Sequence, residues 1–160
     1  MVVRMSAAIC GVVIMFACCF AANARSEISA VHPYAAATIV GTASMYNPFQ
    51  PGYQEGGIET ASGEQYDPSA WTAAIRTDLR DMFGGVRLGK PIRYALIEGV
   101  DKKAIVKIND VGPLRPGRII DFNEQTMRYF DPTLQRGLID NVKVTPLDGD
   151  DWTPGPVAER

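Results

Sequence analysis

The sequence predicts a single mostly-β domain, a small barrel or sandwich, and three observations point there. Of its 160 residues, 46% are hydrophobic and 21% are charged, the balance of one soluble globular unit. Between Gly41 and Leu147 short β-type runs are punctuated at close intervals by Gly and Pro. On either side the composition changes: 25–40 is small, polar and Ala-rich, and 148–160 is rich in Asp, Gly and Pro, so both are expected to be flexible tails.

The first element is not part of the domain. Residues 1–24 combine a lone charge at Arg4, an apolar run from Ala7 to Ala22 and the small-x-small triplet Ala22-Asn23-Ala24, which is the plan of a secretory signal peptide. The apolar run falls short of the roughly 20 residues that span a bilayer, so cleavage after Ala24 and a periplasmic or secreted product are expected. Ala17-Cys18 offers a less favoured route, lipid attachment at Cys18. Cys10, Cys18 and Cys19 all lie in this leader, so the exported domain is expected to hold no thiol and no disulfide.

Within the domain, strands are expected at Thr42–Tyr46, Trp71–Ile75, Pro91–Ile97, Ala104–Asn109 and Asn141–Thr145. The third and fourth show the period of two: Ile92, Tyr94 and Leu96 alternate with Arg93 and Ala95, and Ala104, Val106 and Ile108 alternate with Ile105 and Lys107. Glu98–Lys102 reads as the hairpin loop between them. One helix is expected to open on Asn123 as N-cap and run to Phe130, where Asp131-Pro132 stops it, with Met127 and Phe130 facing the core.

Composition also narrows the chemistry. A formal charge of −2, with Lys and Arg scattered, leaves no basic stripe for a nucleic-acid backbone. The only histidine, His32, falls in the N-terminal tail and reads as solvated. A domain with neither His nor Cys excludes Ser-His-Asp and Cys-His catalysis and a typical zinc site, so no metal or cofactor is expected. Carboxylate chemistry remains, and glycoside cleavage is its usual task.

Three carboxylates stand in unusual company. Glu64 lies in the turn-rich stretch Thr60-Ala61-Ser62-Gly63-Glu64-Gln65-Tyr66, where small residues let backbone approach a ligand. Alone it also reads as a solvated loop acid. Asp110 leaves a β-run at Asn109 and precedes Gly112-Pro113; alone it also reads as a turn-forming residue. Asp121 follows Arg118-Ile119-Ile120 and stands just before the helix, where acids are favoured for capping.

Together with Ala43-Ser44-Met45-Tyr46 and Thr72-Ala73-Ala74, the stretches Val106–Pro113 and Gly117–Phe122 leading into a helix give an ordered set of motifs over Gly41–Leu147. The set resembles the double-psi β-barrel domain of the rare lipoprotein A family, relatives of expansins and of some lytic transglycosylases. The resemblance implies a six-stranded double-psi β-barrel with one or two short helices and an open sugar-binding groove acting on peptidoglycan. It also implies Asp110, Glu64 and Asp121 as catalytic acids, Asp110 as proton donor and Glu64 as the partner that raises its pKa or stabilises the cation. Tyr46, Thr60, Tyr66, Asn109 and Arg118 are the expected glycan contacts, and Asp110, Glu64 and Ile75 are expected on one groove wall.

The chain departs from the family pattern where Ile75 replaces the usual His after Thr-Ala-Ala and Val111 replaces the usual Arg after Asn-Asp. The stretch 76–89 is also longer than usual. A lytic transglycosylase making 1,6-anhydro ends is the expected activity. The alternatives are an expansin-like module that loosens wall polysaccharide without cutting it, and a secreted inhibitor or interaction domain. No second, wall-binding domain is expected beside the barrel, so any targeting to the septum would need a protein partner; a monomer is expected.

Overall fold

The computed structural model describes residues 37–50 and 57–158. The expected signal peptide, the three cysteines, His32 and most of the N-terminal tail lie outside the described residues.

Six strands close into a barrel: β1 (Ile39–Met45), β2 (Thr72–Arg76), β3 (Arg93–Gly99), β4 (Lys102–Gly112), β5 (Arg118–Phe122) and β6 (Leu138–Leu147). Their order is β2-β5-β1-β6-β3-β4, and the β2–β4 pairing shuts the ring. Two neighbours are parallel, β1 with β5 and β2 with β4; the rest run antiparallel. Closure leaves no long free edge. The interior is an apolar cluster that includes Ile75, Ile97, Val106, Ile108, Ile120, Phe122 and Val144, none measurably exposed.

All five expected strands are present with displaced ends: β1, β4 and β6 run longer than expected, while β2 and β3 keep their length but start one and two residues later. Ile39 and Val40 pair with Val144 and Lys143, so the barrel begins two residues inside the expected tail. The β3–β4 hairpin is tighter than the expected loop: Gly99 pairs with Lys102, and the intervening Val100 and Asp101 have φ of 50° and 57°. Positive φ at both turn positions matches the right-handed twist of the strands it joins.

The strand that periodicity does not reveal is β5. Thr42 pairs with Arg118 and Ala43 with Ile120, so Ile119 is an extra residue with no partner. This bulge buries Ile119 and Ile120 in succession, and alternation, the signal of a strand, is lost.

The helix α1 (Glu124–Phe130) forms as expected. The Asn123 side chain accepts the Thr126 N–H at 3.0 Å, and Met127 and Phe130 are buried against the barrel. A 3₁₀ helix at Thr77–Phe83 occupies the long stretch after β2 and packs on β2 and β4, delivering Phe83 to the core.

The expectation of a loose C-terminal tail fails at residues 152–157. Trp152 donates its indole N–H to the Asp148 carbonyl at 2.8 Å. A two-residue strand β7 (Gly155–Pro156) pairs with Ala104 and Ile105, and the Val157 N–H reaches the Lys103 carbonyl. β4 pairs with β2 only from Lys107 onward, so β7 covers the length of edge that β2 leaves open.

Candidate active site

A row of side chains crosses four strands. Ala74 on β2 pairs with Asp110 on β4 to one side and with Asp121 on β5 to the other; Asp121 in turn pairs with Ser44 on β1. Residues paired across strands point to the same face, so Asp110, Ala74, Asp121 and Ser44 line up on one side of the sheet. Two strand spacings of about 4.8 Å put the two aspartate backbones roughly 10 Å apart, with only the Ala74 methyl between them.

A second bulge puts Asp110 in this row. Ala73 pairs with Ile108 but Ala74 pairs with Asp110, leaving Asn109 as the extra residue. Strict alternation from the buried Ile108 would turn Asp110 into the core; the inserted residue turns both Asn109 and Asp110 outward.

The turn-rich stretch then clips onto the bulge. The Ser62 N–H donates to the Asn109 carbonyl at 3.0 Å, and the Ala61 N–H to Asp110 Oδ1 at 2.8 Å. Thr60 closes the turn through its N–H and hydroxyl, both donating to the Glu64 carbonyl. Gly63 supplies the required positive φ of 88°.

Asp110, Asp121, Tyr46, Thr60, Tyr66 and Asn109 line one pocket of about 220 Å³ that opens to solvent. Thr72, Ala73, Ala74 and Asn123 complete it. Burial pushes the Asp110 carboxyl above the ordinary Asp range, against two backbone N–H donors, Ala61 and Val111. Both of those bonds go to Oδ1, so Oδ2 is the oxygen left to carry a proton. Burial also raises Asp121, opposed by the Ser44 hydroxyl bonded to its Oδ1 and by the charge of Arg118. Burial first, and then the Asp110 charge, raise the Tyr46 phenol, which stays neutral and donates to the Gly57 carbonyl.

Glu64 is placed differently from expectation. Its carboxylate accepts from Lys107 Nζ at 2.7 Å and from Asn109 Nδ2 at 3.1 Å, and it stays outside the pocket lining. Burial acts to raise its pKa, but the Lys107 and Asn109 bonds and the Lys107 charge outweigh it and hold Glu64 below the usual range. It therefore does not raise Asp110; burial does. Arg118 is also off the lining, acting on Asp121 as a nearby charge. Tyr66 is 8% exposed, and its hydroxyl is engaged, donating to the Tyr46 carbonyl and accepting the Glu124 N–H.

Ile75 is not on the groove wall. It is fully buried in the core and is the register partner of Val111, so the two departures from the family pattern form one apolar cross-strand pair. Ser44, the partner of Asp121, and the pocket-lining Ala74 were not among the expected site residues, although they stand in the Ala43–Tyr46 and Thr72–Ala74 motifs. Among the described residues no three His, Cys, Asp or Glu side chains gather as a metal site would require.

Fold and pocket together define a double-psi β-barrel with half-buried acids in an open groove. A family model described as lytic transglycolase matches residues 38–144, and the chain belongs to that family. An endolytic peptidoglycan transglycosylase, RlpA, of Yersinia pestis is 33% identical over 122 residues, 74% of this chain and 29% of the relative. The chain thus spans under a third of that relative's length. Among solved structures, Streptomyces papain inhibitor superposes with a TM-score of 0.52 at 15% identity, over 69% of this chain and 94% of the inhibitor, a likeness of fold alone.

Proposed function

We propose that this domain is a lytic transglycosylase acting on the glycan strands of peptidoglycan outside the cytoplasm, with Asp110 as its acid and then its base. The observation that carries the reading is a carboxyl with a raised pKa, set by a bulge at an open pocket with one oxygen unengaged. Family membership and the activity of the Yersinia pestis relative support the substrate.

Protonated Asp110 gives its Oδ2 proton to the glycosidic oxygen as the bond to C1 of the muramic sugar breaks. Positive charge develops on that ring, and ionised Asp121, one strand beyond Ala74, stabilises it. The Asp110 carboxylate then takes the proton of the same sugar's C6 hydroxyl, whose oxygen closes onto C1. The product is a 1,6-anhydro end, no water is consumed, and Asp110 is protonated again.

Glu64 serves as a brace in this scheme, holding Asn109 and Lys107 behind the bulge. Thr60, Asn109 and the Tyr46 and Tyr66 rings form the sugar-facing surface. In this reading the domain acts as a monomer and is exported by its leader. The deciding experiment incubates the protein with denuded glycan strands and identifies the ends released by mass spectrometry. Anhydro ends lost in Asp110→Asn support the reading; tight binding of sacculi with no fragments overturns it in favour of a wall-loosening module.

A further inference from the structure

We propose that Phe49 is a sugar-stacking platform outside the pocket, seating the pyranose ring next along the strand from the one held over Asp110. The inference rests on the glycan-cleaving reading above. The pocket is open to solvent rather than enclosed, so a polymer lying across it extends beyond its lining.

Three rings lead outward from it. Tyr46 and Tyr66 meet edge to face at 5.3 Å and 82°, and Tyr66 meets Phe49 likewise at 5.7 Å and 73°. Phe49 ends the series and is 59% exposed. Ile58, 46% exposed, stands beside Tyr66, whose N–H its carbonyl accepts. The C–H face of a pyranose needs a flat apolar surface of this kind.

Phe49 is also held in place. Its N–H donates to Asn47 Oδ1 at 2.9 Å, and Asn47 Nδ2 donates to Glu124 Oε2 at 2.9 Å. Arg128 fixes the other Glu124 oxygen. With its backbone tied through Asn47 to the helix and its ring set against Tyr66, Phe49 loses less freedom when a sugar covers it than an untethered side chain would.

The test measures binding of long denuded glycan strands by calorimetry in the non-cleaving Asp110→Asn protein, alone and combined with Phe49→Ala, Phe49→Leu or Phe49→Trp. Ala and Leu are expected to weaken binding about 3- to 10-fold, the worth of one aromatic contact, while Trp retains it. Leu stays apolar but is not flat, so its loss identifies stacking rather than burial. In the otherwise native protein, Phe49→Ala is expected to raise KM for long strands by a similar factor and leave kcat unchanged. Unaltered binding in both Ala and Leu overturns the platform and leaves the cleavage reading standing. If the Asp110→Asn parent binds no glycan and the native protein cuts none, the cleavage reading falls and the platform with it.

Discussion

Asp110 and Asp121 share one neighbour: each is the cross-strand partner of Ala74, one from the parallel side of β2 and one from the antiparallel side. The smallest side chain with a Cβ thus forms the floor between two half-buried acids. Ala74 comes from a strand far earlier in the chain than the two that carry the acids, and any register slip in β2 would take it out of their row.

Replacing Asp110 by Asn keeps Oδ1 as acceptor for Ala61 and Val111 but removes the transferable proton. Cleavage of glycan strands is expected to fall about 10²- to 10⁴-fold, with sacculus binding little changed. Rates on denuded strands, measured beside pull-down with sacculi, check it. A variant that retains more than a tenth of the native rate sinks the assignment.

The Ser44 hydroxyl bonds Asp121 and acts to lower its pKa. Ser44→Ala is therefore expected to move the Asp121 titration to still higher pH, shifting the limb of the pH–rate profile that reports it the same way. Carboxyl titration followed by NMR measures it directly. An unmoved Asp121 would show that the bond is structural only.

Burial raises both Asp110 and Asp121, so the folded protein holds these protons more tightly than the unfolded chain does. The stability they contribute is fully present below the unfolded value of about 3.9 and is lost as pH rises through the raised folded values. Glu64, held low, has the opposite sign: its contribution is present above the unfolded value and lost as pH falls through the folded one. Asp110→Asn removes one rising-pH loss, so its melting temperature is expected to gain on the native protein's between pH 4 and pH 8. Equal slopes in thermal melts across that range contradict the burial argument.

Because Ile75 is fully buried, Ile75→His does not restore a groove histidine. It sets an imidazole in an apolar cluster beside Val111 and is expected to cost about 1–3 kcal/mol with no gain in cleavage. Denaturant unfolding with a parallel rate assay tests both halves; a faster enzyme would place the side chain in the groove after all.

Much of the fold was legible locally. The β3–β4 hairpin shows in alternation, and α1 in its Asn123 cap and Asp131-Pro132 stop, because each is set by neighbours in the chain. β5 was not legible, since the bulge at Ile119 breaks the period of two. The docked segment 152–157 was not either, because its polar composition says nothing of the open β4 edge that it covers.

The sequence by itself determined a mostly-β domain, the helix, and a chemistry of carboxylates with no His or Cys inside the barrel. Its ordered motifs determined the family. Which carboxylates meet was decided only by the tertiary structure. Asp110 entered the row through the parallel β2–β4 pairing and a bulge at Asn109, and Asp121 through the antiparallel β2–β5 pairing, while Glu64 was drawn to Lys107 and Asn109. Parallel pairings join residues dozens of positions apart, and a single inserted residue reverses which way a side chain faces. Neither can be read from any local window, because both are set by the closure of the barrel.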